Sequence, residues 1–437
     1  MNKRTFLELL AAFLICPVPG RAQRKAWTSK LAPPAGLEGR LKQFFAGKHR
    51  QAAALAKQLN EPMATEIREF FEAGEKGDWK RVAENYWDSS VVGQTVRECY
   101  GAYEEFVQGE EEYVTLFGRE ILDSMPRGSI YFGGTEPGRW LPTAFCKSHA
   151  GADPVFVLTQ SGLIDPLYLK YLRATYGDRI AIPTAENFEK ASQDYAAEVE
   201  QRRKAGKLKP GEGIMGEDGK PAGVTGVWEI SARLARMLFE SNPEREFFVE
   251  ESFPMEWTYA HLAPHGLILK LHRTTLKELP AEVVRRDGEY WKRFTDRALG
   301  SWLTPETPVQ TVCEFANDVF ASKERGKFKG DTKFVRNDSV CRMFSKLRSS
   351  QGGVYLWRMN HSASAEEKQR MRAEADFAFR QAFALFPSSP EVVFKYIGLL
   401  LQERRKNEAL LVGQTAKKIE PTNGQFDGMV QSLEKMK

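Results

Sequence analysis

Two periodicities of apolar side chains divide this chain. In residues 37–117, and again in residues 280–437, apolar side chains recur at spacings of three and four, as one face of a helix requires. Between these regions, in residues 118–279, short apolar runs alternate with helical patterns. This order predicts an α/β domain with a parallel sheet and helices on both faces, Rossmann-like in arrangement and flanked by tetratricopeptide-like helical hairpins.

The central region contains five candidate strands, each short, apolar and bounded by glycine, proline or polar residues. The predicted helices between them are Leu167–Tyr176, Ala185–Ala205 and Trp228–Asn242. Residues 206–226 are rich in glycine and proline, which predicts a long mobile loop. The predicted strands are Ser129–Phe132, Val155–Leu158, Ile180–Ile182, Phe247–Val249 and Leu267–Leu271.

The N-terminal helical region contains two similar stretches, Phe44–Gly47 and Phe70–Gly74. Each is followed within a few residues by a new amphipathic run. The two stretches therefore predict helical hairpins that are joined by turns at the glycines.

A 34-residue repeat lies in the C-terminal helical region, at about residues 356–423. Small residues recur 34 positions apart, and a proline closes each copy. This spacing is typical of tetratricopeptide repeats, whose paired helices need small side chains where they approach and a proline where the second helix ends. The predicted packing residues are Ala375 with Ala409, Ala382 with Ala416, and Pro387 with Pro421.

The first 22 residues have the pattern of a secretory signal. A basic start precedes the short apolar run Leu9–Cys16, and Gly20-Arg21-Ala22 places small residues where a signal peptidase cleaves. The apolar run is much shorter than the ~20 residues that span a bilayer. We therefore expect an exported protein, periplasmic or extracellular, with residues 23–36 as a linker and no transmembrane segment after the signal is removed.

Composition narrows the classes of partner and cofactor. The chain has 63 Lys and Arg against 58 Asp and Glu, so its formal net charge of +5 gives no general reason to expect nucleic-acid binding. The cysteines form no C-x-x-C pair and lie at no metal-ligand spacing from a histidine, so we expect no metal and no cofactor. The basic stretch Lys323–Arg348 favours a contact with an acidic partner, or an intramolecular salt-bridge face, over nucleic acid.

Three loops that follow predicted strand ends carry the candidate ligand-binding residues. In a parallel sheet the carboxyl ends of the strands meet at one edge, where ligands bind. Charged and amide side chains beside Trp140 and Trp257 would form a polar cleft of the kind that holds a sugar or a peptide. The candidates are Glu136, Arg139, Gln160, Asp165, Glu250 and Trp257.

Two other interpretations of these residues stay open. In the first, the glycines only close turns, Arg139 pairs with a carboxylate and Asp165 caps a helix. In the second, paired carboxylates act as acid and base in hydrolysis, although spacing in sequence gives no distance between them. The loop after the first strand lacks G-x-G-x-x-G and the Lys-Ser/Thr of a P-loop, which argues against nucleotide binding. No catalytic residue is predicted.

Long motifs in the chain resemble one protein family. They include GSIYFGGTEPGRWLPT, VFVLTQSGLIDPLYLKYLRATYG, FFVEESFPMEW and KFVRNDSVCRMFSKLRSSQGGVYLWR, within about residues 118–425. They are similar to the soluble C-terminal region of bacterial multi-spanning membrane proteins of uncharacterised function, which are related to protein O-mannosyltransferases and often end in tetratricopeptide repeats. Catalysis in that family is attributed to a membrane half that this sequence lacks. The resemblance therefore implies an extracytoplasmic module that contacts acceptor proteins or glycosylation machinery, without glycosyl transfer.

Together these patterns predict an exported, non-catalytic binding or scaffold protein that contacts proteins or glycans at the cell envelope. The helical repeats would hold segments of protein partners in a groove. The alternative is a glycan-active enzyme, either a transferase or a hydrolase, that uses the cleft at the carboxyl ends of the strands.

Overall fold

The computed structural model describes residues 31–84, 89–133, 136–146, 155–209, 212, 223–251 and 255–436. The predicted signal and most of the predicted loop 206–226 lie outside these residues. Contacts divide the chain into two units, the first ending at Trp257 and the second beginning at Thr258. Both units are mainly helical, and five short strands are divided between them.

The first unit begins with helices and continues into three strands with helices between them. The central strand β1 lies between β2 and β3 and is parallel to both. The elements of this unit are α1 (Ala35–Leu59), α2 (Thr65–Lys76), α3 (Trp79–Ala83), α4 (Gly93–Gln108), α5 (Glu111–Asp123), β1 (Ile130–Gly133), α6 (Glu136–Phe145), β2 (Phe156–Thr159), α7 (Pro166–Tyr176), α8 (Ala185–Lys204), α9 (Gly223–Ser241) and β3 (Phe247–Val249).

All residues of the three parallel strands are buried. Because a parallel strand is covered on both faces, its sequence must be a nearly continuous apolar run, as these three strands are. The helices that follow have clear N-terminal signals. Asp165 accepts a hydrogen bond from the Leu167 amide at the start of α7, and Thr184 forms a capping box with Asn187 at the start of α8. These caps fix where α7 and α8 begin. The predicted helices Leu167–Tyr176 and Ala185–Ala205 are therefore confirmed.

The predicted strand Ile180–Ile182 is wrong, because this segment is an irregular loop. Its backbone is satisfied by a side chain instead of a neighbouring strand. The Asn242 side chain accepts a hydrogen bond from the Ala181 amide at 2.8 Å and donates to the Ala181 carbonyl at 2.9 Å. An amide group therefore replaces the strand partner that the pattern Ile-Ala-Ile predicted.

The predicted turns at Gly47 and Gly74 are also wrong, because both glycines lie within helices. Helix α1 continues past Gly47 to Leu59 and ends at Asn60, whose φ is 52°. Helix α2 ends at Gly77, whose φ is 80°. A left-handed residue after the last helical position is the usual way for a helix to end, and it marks both turns here. The N-terminal helices share one unit with the three strands.

The second unit begins with a β-hairpin and continues as helices. The predicted parallel strand Leu267–Leu271 instead forms part of this antiparallel pair, in which His265 pairs with Ile268. A connection of two residues, with Gly266 at φ 60°, can join only antiparallel strands. The elements are β4 (Leu262–His265), β5 (Ile268–Leu271), α10 (Ala281–Leu299), α11 (Val309–Ala316), α12 (Thr332–Val335), α13 (Asp338–His361), α14 (Ala365–Leu385), α15 (Pro390–Gln402), α16 (Lys406–Ile419) and α17 (Gly424–Lys435).

The four alanines of the predicted repeat have no exposed surface and lie on α14 and α16. The Ser345 hydroxyl donates to the Ala382 carbonyl at 2.8 Å, so α13 approaches α14 closely at this alanine. Pro387 is buried and Pro421 is exposed, and each lies two residues beyond the end of its helix. Among the described residues, no helix is long and apolar enough to span a membrane.

Candidate functional site

The candidate site lies beyond the carboxyl ends of β1 and β3. The chain passes from β1 to β2 on one side and later places β3 on the other side of β1. The connections from β1 and from β2 therefore run in opposite directions along the sheet, and such a switch point opens a crevice in α/β sheets. Two glycines allow a close approach there. A Cβ added to Gly133 would lie 3.0 Å from the Arg139 Cα. A Cβ added to Gly138 would lie 1.8 Å from the Glu250 carboxyl carbon.

The Glu250 carboxylate lies against the first turn of α6. Glu250 is 1% exposed, and its amide donates to the Phe132 carbonyl at 3.0 Å, which extends the pairing of β3 with β1. The N-terminus of a helix carries a partial positive charge and attracts anions. Glu250 therefore occupies the position that a phosphate takes in nucleotide-binding folds, so the strand–glycine–helix turn here holds an internal carboxylate.

Two buried hydroxyl groups lie on the same face of this sheet. In the parallel register Gly133 pairs with Thr159, and Tyr131 and Gly133 point to the same side of β1. Within the described parts of the chain, neither the Tyr131 hydroxyl nor the Thr159 hydroxyl has a hydrogen-bond partner. Burial, together with the charges of Glu250 and Glu251, raises the pKa of Tyr131 well above its usual value. Buried hydroxyls without partners are typical of a site that takes up water or a polar ligand.

Arg139 provides the cationic group of the crevice. Its guanidinium carbon lies 3.8 Å from the centroid of the Trp140 ring and 5.6 Å from that of Tyr168. Across the described residues, no oxygen accepts a hydrogen bond from this half-buried guanidinium. Both aromatic groups are fixed: a Cβ on Gly101 would lie 2.3 Å from the Trp140 ring, and the Tyr168 hydroxyl accepts from the Thr159 amide at 2.8 Å. The donors of Arg139 are thus held on a rigid aromatic support.

The other candidates are bound to neighbouring helices. The Gln160 amide group donates to the Ser231 hydroxyl at 3.1 Å, and the indole of Trp257 donates to the Ala232 carbonyl at 3.0 Å. Asp165 caps α7. Glu136 is the first residue of α6, and its side chain lies outside the described residues. The structure therefore brings Arg139 and Glu250 to the first turn of α6, while Gln160, Asp165 and Trp257 stabilise helix positions.

A buried charged cluster that the sequence analysis missed lies next to this crevice. Lys48, on α1, is 1% exposed, and its ammonium group forms an ion pair with Glu98 of α4. The ammonium group also donates to Gln51 at 3.0 Å and to the Tyr171 hydroxyl at 3.5 Å. The Tyr171 hydroxyl donates to the Glu98 carboxylate at 3.0 Å, and its ring stacks on Tyr168 at 6.1 Å. The cluster therefore supports the aromatic wall under Arg139.

Burial dominates the ionisation of this cluster. It lowers the pKa of Lys48, although the Glu98 carboxylate acts in the opposite direction. Burial also raises the pKa of Tyr171 and of the Cys99 thiol well above their usual values. The sequence contains one signal of this buried cluster. Lys48 lies four residues from both Phe44 and Ala52, which places a charged side chain on the apolar face of α1.

The second unit contains a cleft of about 510 Å³ within its helical region. The Arg380 guanidinium fixes the loop at its edge by donating to the carbonyls of Pro305 at 2.9 Å and Thr307 at 2.5 Å. Arg405 donates to Asp376 at 2.8 Å and forms a bidentate pair with Glu408. The cleft is lined by residues 305–310 and by Arg380, Arg405, Asn407, Glu408 and Leu411.

Among the described residues, no group of His, Cys, Asp or Glu is arranged to hold a metal ion. In comparisons with known proteins, no family model matches the chain, and neither a curated protein nor a solved structure matches it.

Proposed function

We propose that this chain is an exported, non-catalytic binding protein that contacts glycans or proteins at the cell envelope, with Arg139 at its ligand site. The observation that carries the proposal is the guanidinium group that lies over Trp140 without a hydrogen-bond partner in the described chain. A planar guanidinium has five donors and binds carboxylate or hydroxyl oxygens in a fixed geometry. The adjacent aromatic surface suits the apolar face of a sugar ring or a peptide side chain.

The surroundings of Arg139 favour binding over catalysis. Acid/base hydrolysis of a glycan needs two carboxyl groups that reach the substrate. Glu250 and Glu251 are 1% and 5% exposed, and Glu250 is held by the first turn of α6. Asp165 is used as a helix cap. Glu250 and Asp165 therefore hold structural positions and Glu251 is buried, which leaves the half-buried Arg139 as the charged group for ligand recognition.

The finer fold that we propose is Rossmann-like in the first unit and tetratricopeptide-like in the second. The order β2–β1–β3, with α6 between β1 and β2, supports the first assignment. Four fully buried alanines at 34-residue spacing on α14 and α16 support the second. We propose that the cleft beside Arg380 and Arg405 holds an extended segment of a protein partner. This organisation is the one that the resemblance to the O-mannosyltransferase-related family implies for an extracytoplasmic module.

The test is binding of the full chain to arrays of envelope oligosaccharides and peptides, with Arg139→Ala as the variant. We expect Arg139→Ala to keep the far-UV circular dichroism of the parent and to weaken binding at least tenfold, because a charge-assisted hydrogen bond is lost. Arg119→Ala is the matched control, since Arg119 also lies over a ring of α6, at 5.5 Å from the Phe145 centroid, but outside the crevice. Unchanged binding by Arg139→Ala would contradict the assignment of the site. Turnover of a sugar or nucleotide sugar by the parent would establish an enzyme instead.

A further inference from the structure

The segment 323–336 of the second unit, here called the lysine loop, carries six basic and two acidic residues. Sequence alone left two interpretations of this region, an acidic partner or an intramolecular salt-bridge face. The positions of the individual side chains distinguish between them.

The apolar side chains of the lysine loop anchor it to the helices. Phe334 has no exposed surface, and its ring lies 5.8 Å from that of Phe294 on α10. The Phe328 ring lies 6.0 Å from that of Phe315 on α11. A Cβ on Gly330 would lie 2.5 Å from the Ala298 carbonyl, so the backbone itself packs against the end of α10. The loop therefore has a fixed conformation with its aromatic residues directed inward.

The basic side chains, in contrast, face solvent. In the described part of the chain, none of the six has a carboxylate within ion-pair distance, and five of them are exposed. The sixth, Arg325, reaches the Val335 carbonyl at 3.5 Å and holds the two ends of the loop together. On nearby α10, exposed basic residues such as Arg285 and Lys292 form ion pairs with carboxylates of their own helix. The five exposed residues are Lys323, Lys327, Lys329, Lys333 and Arg336.

This segment therefore forms no intramolecular salt-bridge face among the described residues, which leaves an anionic partner as the remaining interpretation. We propose that the lysine loop docks on a membrane surface that contains anionic phospholipid. Four of the five exposed side chains are lysines, whose compact charge suits a diffuse layer of headgroups better than a bidentate site. Clusters of four to eight basic residues are the kind of segment that binds anionic lipid. Phe334 is buried and Phe328 is half-buried against Phe315, which makes both rings poor platforms for a nucleic-acid base.

The test is co-sedimentation of the full chain with vesicles of phosphatidylcholine alone and of phosphatidylcholine mixed with phosphatidylglycerol. We expect binding only to the mixed vesicles and weaker binding as salt is raised. Each basic residue contributes about fivefold, so the triple variant Lys327→Glu, Lys329→Glu, Lys333→Glu should bind at least a hundredfold more weakly. Neutralisation of the same three residues, Lys→Gln, should give a smaller loss in the same direction.

The matched control reverses three exposed lysines of the same unit that also lack ion pairs in the described chain, Lys277→Glu, Lys368→Glu and Lys418→Glu. It has the same net charge as the triple loop variant and should retain most of the vesicle binding. Equal losses in the two variants would mean that only net charge matters, and the proposal would be overturned. Equal binding of the parent to both kinds of vesicle would also overturn it. So would loop-dependent capture of polyglutamate or single-stranded RNA without vesicle binding.

Discussion

In each of the two units, a cluster of described residues buries a cation together with a carboxylate, a tyrosine and a glutamine, and the two clusters differ in how completely they are paired. In the first unit the Lys48 ammonium group contacts Glu98, Gln51 and Tyr171, so all three of its donors have acceptors. The compact ammonium group matches the number of acceptors that three helices bring to it.

In the second unit the cation is Arg348, which has no exposed surface and donates to Asp287 at 2.7 Å and to Gln381 at 2.8 Å. The Tyr355 hydroxyl also donates to Asp287, at 2.7 Å. Among the described residues, one terminal nitrogen of Arg348 and one oxygen of Asp287 have no partner. A guanidinium with five donors is harder to satisfy in a dry core than an ammonium group with three. The lysine cluster is therefore fully paired but titratable, whereas the arginine cluster stays charged and leaves two polar atoms without a partner among the described residues.

The largest expected effect comes from removing one charge of a cluster. Lys48→Met leaves Glu98 buried without its cation and should lower the free energy of unfolding by about 3–5 kcal/mol. Arg348→Met should have a comparable cost. Urea unfolding measures the loss, and hydrogen exchange by mass spectrometry should place it in the unit that carries the variant.

The double variant Lys48→Met, Glu98→Gln sharpens this result. A neutral amide at position 98 can still accept a hydrogen bond from Tyr171, so most of the lost stability should return. A double variant as unstable as Lys48→Met alone would mean that the loss comes from packing and not from the unpaired charge.

A smaller effect is expected where the second unit depends on close apolar contact. Ala382→Leu adds volume at a position without exposed surface and should cost about 1–3 kcal/mol. Ala373→Leu is the matched control, because Ala373 is exposed on the same helix and should change stability by no more than about 0.5 kcal/mol. If Ala382→Leu unfolds at the same urea concentration as the parent, the repeat assignment fails.

The smallest effect is a pH dependence that only the lysine cluster should show. Burial lowers the pKa of Lys48 below 10.5, so in alkaline solution the folded chain releases this proton before the unfolded chain does. Because the unfolded chain then holds more protons, this residue makes stability rise with pH, by at most about 1.4 kcal/mol per unit. The gain should be present in the parent and absent in Lys48→Met when unfolding is compared as the pH rises towards 10.5, the ordinary pKa of lysine. Burial raises the pKa of Tyr171 and of Cys99, so their titration acts in the opposite direction in both proteins, and the loss of a gain in Lys48→Met is the signature of Lys48. Parallel pH profiles would show that Lys48 keeps an ordinary pKa.

The sequence predicted local features better than long-range ones. The parallel strands and helix α7 followed from apolar runs and from Asp165, because caps and burial are set by neighbouring residues. The direction of the strand Leu267–Leu271 depended on the two-residue turn at Gly266, and apolar periodicity does not show such a turn. The Lys48 cluster joins three helices, and no local pattern shows that Glu98 and Tyr171 meet there. At the candidate site, strand order explains why Arg139 and Glu250 meet at α6, whereas the contacts of Gln160 and Trp257 with α9 depend on how that helix packs.

The hydrogen bond between Lys48 and Tyr171 joins residues 123 positions apart. At a synthesis rate of about 5–20 residues per second, helix α1 would wait roughly 6–25 seconds for that partner to be made. Gln51 and Glu98 are made earlier in this interval, so the ammonium group has two of its three acceptors before Tyr171 is available. The first core of the nascent chain therefore acquires its full set of hydrogen bonds only after α7 has been made.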